Sequence, residues 1–265
     1  MKRNHFVYRM CSDFSAPVTD HSFTLKCIPE TNPCQKIILE KQDLKMPDWI
    51  SSGRDSFGNF YLYGKEEKPH INFEVVIEGE ADVERKRGYE WCGRIFPNCI
   101  YPTDLTLCND KMIAFLSDCI SKIKKKQRNF EDTVFFLMQE VYGFMEYVPG
   151  VTTVKTTARE AFSMKKGVCQ DYAHILCGLY KKLGYPSCYV AGFMSGEGAS
   201  HAWVSVCDPQ TGLWYEIDPT NNKWADDGYL SVSYGADSSD CVMNRGLYRG
   251  FCTEEQKISV LVKER

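Results

Sequence analysis

The sequence predicts an α+β protein: an all-β module, sandwich- or barrel-like, over residues 1–100, followed by helices packed on an antiparallel sheet over residues 101–265. Three observations point to this division. In the first hundred positions, apolar residues fall at every second place in short runs, the period of a half-buried strand. From about residue 101 the spacing lengthens to that of a helix. After Gly184 the alternation returns, in segments bounded by turn formers.

The first part carries alternating runs at 6–10, 22–27, 35–39, 60–63 and 71–77. Turn-rich pieces separate them, such as Pro29-Glu30-Thr31-Asn32-Pro33 and Ser51-Ser52-Gly53-Arg54-Asp55. In Ser22-Phe23-Thr24-Leu25-Lys26-Cys27 the alternation suits a sheet with one buried face. Residues 104–123 then place Leu105, Leu107, Met112, Phe115, Leu116 and Ile120 in a roughly helical stripe, and the basic run 122–128 reads as the C-terminal end of that helix and a solvated linker. Residues 130–147 form a second helix, apolar on most sides and stopped by Pro149-Gly150. Thr157-Ala158-Arg159-Glu160 is a capping-box signature opening a short helix at 158–165.

Gly167 resets the chain for a helix from Cys169 to about Lys182. Its residues Ala173, Ile175, Leu176, Cys177, Leu179 and Tyr180 mark it for the core, and the small Ala173 and Gly178 permit close approach. A strand follows at 187–193, then a glycine-containing loop at 194–200 expected to be flexible and to border or gate a cleft. Strands at 201–206 and 213–218, joined by the turn-rich 207–212, pair as an antiparallel hairpin, with Pro219 ending the second. Residues 257–262 alternate as a closing strand.

Chemistry concentrates in three blocks. Gly167-Val168-Cys169-Gln170-Asp171-Tyr172-Ala173 delivers a cysteine to the first turn of a helix, where unpaired N–H groups favour thiolate, the nucleophilic form. His201-Ala202-Trp203-Val204 begins a strand, and Asp218-Pro219-Thr220-Asn221-Asn222 ends one. Converging where the helix start meets the sheet, Cys169 would attack, His201 would shuttle the proton, and Asp218 would orient the imidazole. The other histidines compete poorly: His174 lies about 140° round the helix from Cys169, and His5, His21 and His70 have no partner motif. Asp208 sits in turn chemistry with Pro209. The N–H of Cys169 is the first candidate oxyanion donor, and no second is identified. Trp203 shares a strand face with His201 and is a candidate cleft residue, ordinary core packing being the equal alternative. Tyr172 and Gln170, beside the cysteine, are further candidates for substrate contact, as is Asn221 more weakly. Asp171 either contacts substrate or simply suits the start of a helix.

In these three blocks and their order the chain resembles the bacterial transglutaminase-like proteins. The resemblance implies a papain-like, transglutaminase-like core with a Cys169–His201–Asp218 triad. More loosely, Tyr8 to Pro17-Val18, Leu25 to Pro29 and Asp55-Ser56-Phe57-Gly58-Asn59 are similar to the N-terminal module that precedes that core in the family. Near the C-terminus the family pattern of glycine-arginine-aspartate-tyrosine is replaced by Gly235-Ala236-Asp237-Ser238, while Arg245-Gly246 is kept.

Composition narrows the function classes. A formal net charge of −3 gives no electrostatic case for nucleic acid. There is no apolar run for a signal peptide or a membrane span, so a cytoplasmic, bacterial location is expected. The thirteen cysteines contain no C-x-x-C pair. A metal site or cofactor is therefore not expected, a disulfide framework is disfavoured, and most of these thiols read as small buried hydrophobes. The expected activity is acyl transfer on a peptide or protein amide through a thioester. Release by water would make the protein a peptidase or amidase, the favoured reading; release by an amine would make it a protein-glutamine transglutaminase. A non-catalytic binding module that keeps the fold is the third reading, disfavoured by the intact triad.

Overall fold

A computed structural model describes residues 1–44, 47–91 and 97–265. In chain order the strands are β1 (Lys2–Leu25), β2 (Gln35–Leu44), β3 (Trp49–Arg54), β4 (Phe60–Glu66) and β5 (His70–Val83). Helices α1 (Asp110–Lys125) and α2 (Phe130–Phe144), β6 (Glu146–Tyr147), α3 (Ala158–Met164), β7 (Lys166–Gly167) and α4 (Cys169–Lys182) follow. The chain closes with β8 (Ser187–Met194), β9 (Gly196–Gly198), β10 (His201–Cys207), β11 (Trp214–Asp218), β12 (Lys223–Trp224), β13 (Tyr229–Gly235), β14 (Asn244–Arg249) and β15 (Glu254–Glu264). The class is α+β.

One eight-stranded sheet system is organised by β1. Its first half pairs with β5 and β15, giving the order β2-β5-β1-β15-β9. Past a bend where Asp20 adopts φ 49°, its second half pairs with β4 and β14, and β4 with β3. The separate runs expected at 6–10 and 22–27 are thus one strand of 24 residues. The piece read as turn-rich at 51–55 lies mostly inside β3, whose pairing with β4 overrides its Ser and Gly content. The strand expected at 257–262 belongs to this first sheet rather than to the later one, because Phe6 and Tyr8 lie opposite Val262 and Val260 on one buried face, with Met10 opposite the half-buried Ile258.

The second sheet is antiparallel, in the order β12-β11-β10-β8-β13. Alternation along β10 splits its side chains: Ala202, Val204 and Val206 join the core shared with α4, while Trp203 and Cys207 join a cluster with Trp91, Trp214, Tyr229 and Tyr234. Helix α4 is buried almost throughout. It approaches the 106–108 segment closely at Gly178, where a Cβ would stand 2.2 Å from the carbonyl oxygen of Thr106. Each fully buried Leu or Ile of α4 stabilises this seat by about 1.5–3 kcal/mol.

Helix ends follow their caps. Helix α1 starts at 110, not 104, because the Asn109 side chain accepts the Met112 N–H at 3.1 Å, and its last turn carries Lys122, Lys124 and Lys125. Helix α2 stops at 144 because Glu146–Tyr147 pairs in parallel with Lys166–Gly167. The capping box of Thr157 and Glu160 is present at α3. No helix among the described residues is long and apolar enough to cross a membrane.

Cys99 and Cys188 form a disulfide, where the sequence disfavoured a disulfide framework. They lie 89 residues apart in sequence, so no local spacing signals the bond. Cys27, Cys34, Cys119, Cys177, Cys207 and Cys241 are buried thiols, as expected, and Cys92 lies outside the described residues.

Candidate active site

The first turn of α4 is fixed by Asp171. Its Oδ2 accepts the Val168 N–H at 2.8 Å and the Thr152 hydroxyl at 2.7 Å, tying the helix start to the 150s loop. That geometry needs Gly167: a Cβ there would lie 2.5 Å from Asp171 Oδ2. Asp171 is therefore a cap, buried and committed to backbone, and not a substrate contact. Burial raises its pKa, which the hydrogen bonds from Thr152 and from the backbone of Val168 and Asp171 only partly offset. Cys169 sits half-buried at the helix start.

His201 begins β10 and Asp218 ends β11, strands that pair antiparallel. Pro219 closes β11, and the Asp218 Oδ1 accepts the N–H groups of Thr220 (2.8 Å) and Asn221 (3.2 Å), so the turn holds its own carboxylate. Asp218 Oδ2 lies 2.7 Å from His201 Nε2 and also accepts the Asn221 amide (2.7 Å) and the Tyr229 hydroxyl (2.7 Å). Asp218 is fully buried, so each donor replaces water that burial removed. Burial pushes its pKa up, but the His201, Asn221 and Tyr229 hydrogen bonds outweigh this and hold it below the usual carboxylate value.

The His201 ring connects the two blocks. Burial lowers its pKa, yet the hydrogen bonds to Asp218 and to the Cys169 thiol, with the charges of both, raise it to about 9. The imidazolium is therefore the favoured form at neutral pH. His201 thus bonds Asp218 on one side and lies within electrostatic reach of Cys169 on the other. Charge at Cys169 is also felt by Tyr147 and Tyr189, whose phenol pKa values rise first through burial and then through this thiol.

A cleft of about 460 Å³ opens beside these residues, and its lining includes Cys169, Gln170, His201, Arg245 and Ile258. Of the three side chains expected to touch substrate, Gln170 borders it; its amide lies 3.4 Å from the Thr153 carbonyl. Trp203 does not. It is fully buried, donates to Glu216 Oε2 at 2.6 Å, and stacks beneath His201 with ring centroids 6.1 Å apart. Tyr172 is buried as well and faces the core. Both corrections have one cause: an aromatic side chain next to a reactive residue often builds its floor. The loop at 194–200, expected to be flexible, contains β9, which hydrogen-bonds to β15; Gly196 at φ 119° lets the chain turn into that pairing. His174 points away from Cys169 and accepts the Ser238 N–H at 3.1 Å. Tyr229, absent from the sequence reading, reaches Asp218 from β13 and is signalled by no motif.

Behind the tryptophan lies a second polar centre. Glu216 Oε2 is 2.6 Å from Arg85 Nη1, with both side chains almost wholly buried, and Glu216 also accepts the hydroxyls of Tyr89 (2.7 Å) and Tyr234 (3.1 Å). A cavity of about 610 Å³ beside it mixes acidic and basic residues and holds neither cysteine nor histidine among its described lining.

A family model described as the transglutaminase-like superfamily matches residues 118–219, the span that contains Cys169, His201 and Asp218. An uncharacterized protein of Mycobacterium leprae is 30% identical over 260 residues, covering 89% of this chain and 90% of the relative. Uncharacterized proteins of Mycobacterium bovis and Mycobacterium tuberculosis are 33% identical over 227 residues, covering 74% of this chain and 71% of theirs. Among solved structures, a protein of Cytophaga hutchinsonii described as a candidate cysteine protease superposes with a TM-score of 0.77 at 18% identity, covering 99% of this chain and 90% of that one. That likeness extends the shared fold beyond the matched span to both ends of the chain. The chain belongs to the transglutaminase-like superfamily.

Proposed function

We propose that the protein is a cysteine-dependent acyl-transfer enzyme acting on peptide or protein amides, with water as the acceptor: a peptidase or amidase. The observation that carries this reading is the His201 ring, hydrogen-bonded to Asp218 and under the influence of Cys169, at the edge of an open cleft that both residues line. In the proposed reaction the Cys169 sulfur adds to the amide carbonyl carbon. The His201 imidazolium gives its proton to the amide nitrogen as the C–N bond breaks, and the amine leaves. Neutral His201 then takes a proton from water, whose oxygen attacks the thioester; the C–S bond breaks, releasing the acid and restoring the starting ion pair. Asp218 holds the ring and its charge in place throughout, and the Cys169 N–H is the first oxyanion donor.

Hydrolysis is favoured over amine transfer by the charge of the cleft. A lysine side chain approaches as a cation, and the described lining contains His201 and Arg245 but no carboxylate to attract it. Incubation with a peptide library, followed by mass spectrometry with and without a primary amine, tests the reading. Products carrying added water support it, and amine-coupled products outnumbering them would establish transglutamination. No Cys169-dependent product, together with no enhanced Cys169 reactivity, would leave the fold as a binding module.

A further inference from the structure

We infer that Arg245 anchors a carboxylate of the substrate, so that the amide attacked belongs to an acidic peptide or another carboxylate-bearing acyl compound. This deepens the reading above and rests on Cys169 being the nucleophile. Cys169, His201 and Arg245 line one cleft, in which His201 and Arg245 are the charged side chains among the described lining residues; Arg245 also borders a neighbouring cavity with Lys26, Asp55 and Asp240. Composition does not make such a cleft the default, since the chain has 35 Asp and Glu against 32 Lys and Arg.

The guanidinium is held but not neutralised. Its Nη2 donates to the Ser239 carbonyl at 2.5 Å, and its strand is registered on β1 through the pairing of Arg245 with Thr24. No carboxylate of the described residues comes within 4 Å of it. The acids nearby are occupied: Asp240 accepts the Ala236 N–H at 2.9 Å, Asp237 accepts the Ser239 N–H at 2.7 Å, and Asp55 pairs with Lys26 at 2.6 Å. A guanidinium fork with free donors suits a carboxylate, which it can bind through two parallel hydrogen bonds. Val242, Met243 and Ile258 line the same cleft, and the Arg245 side chain itself is exposed, so its attraction acts through solvent and is weakened by salt.

The test uses two alkylating reagents that differ by one charge. The rates at which iodoacetate and iodoacetamide modify Cys169 are measured at pH 7 by mass spectrometry, in the wild type and in Arg245→Gln and Arg245→Glu. The iodoacetate-to-iodoacetamide ratio should fall about three- to tenfold in Arg245→Gln and further in Arg245→Glu, the loss carried by iodoacetate. The iodoacetamide rate and the thermal midpoint report folding in each variant, and the wild-type ratio should also drop as sodium chloride is raised. Equal ratios in all three proteins would overturn the inference. If Cys169 proves no more reactive than Cys252 toward iodoacetamide, the nucleophile reading fails separately, because the ratio still reports the charge felt at the sulfur.

Discussion

Replacing Asp218 by asparagine should move the proton on His201, and with it the pH range of reactivity. The amide keeps the volume but removes the charge, and its NH2 group must meet one of the donors that now converge on the carboxylate: His201, Asn221, Tyr229 or the turn N–H groups. Asp218 and Cys169 together raise the His201 pKa against burial, to about 9, with the Asp218 hydrogen bond the largest raising influence. Without the Asp218 share, burial offsets what Cys169 still contributes, and the value should fall to about 6.5, a change of roughly 3 kcal/mol at about 1.36 kcal/mol per unit. At pH 8 the imidazolium fraction then drops from about nine-tenths to about one-thirtieth, whereas at pH 6 it falls by less than a third. The Cys169 alkylation rate should accordingly show a deficit of about thirtyfold at pH 8 and a much smaller one at pH 6, and the imidazole titration can be followed directly by NMR. A deficit equal at both pH values, or a His201 that still titrates near 9, would refute the reasoning.

The same ion pair links stability to pH. His201 has a folded pKa of about 9 against about 6.5 unfolded, so its contribution is fully present below about pH 6.5 and lost as pH rises through 9; denaturant unfolding of the wild type should weaken across that window more steeply than that of Asp218→Asn. Gly167→Ala should cost about 1–2 kcal/mol and slow Cys169 alkylation, because the added methyl displaces the Asp171 cap; unchanged stability would show that the cap can shift. Glu216→Gln leaves the Arg85 charge buried without its partner and should cost about 3–5 kcal/mol in urea unfolding, with a loss under 1 kcal/mol contradicting the network. Cys99→Ser should lower stability by about 2–4 kcal/mol under non-reducing conditions, and the difference should vanish when dithiothreitol is added.

Local features were the most legible in the sequence. The bounds of α4, the β10–β11 hairpin and the α3 capping box follow from residues within a few positions of one another, so caps and periodicity suffice. Asn109 and Asn129 cap their helices just as visibly, yet an apolar stripe running past α1 drew its start too early. What was not legible depends on distant pairing. Tyr229 meets Asp218 because β13 runs beside β8, and Cys188 finds Cys99 across 89 residues. Trp203 was ambiguous for a different reason. Strand parity correctly puts it on the face of His201, but that face is covered by Trp91, Trp214 and Tyr234 beyond the first strand residue, so only His201 reaches the cleft.

The pairing of β1 with β15 bears on how the molecule is made. Asn4 lies opposite Glu264 and Phe14 opposite Glu254, contacts about as distant in sequence as this chain allows, and such topologies close slowly. During synthesis the first strand emerges long before its neighbour. It can pair with β5 early, but one of its edges stays bare until residues 254–264 leave the ribosome. Through β9, the same late strand also braces the segment that leads into His201. The nascent chain therefore holds Cys169 and His201 before the strand that braces the approach to His201 has been made.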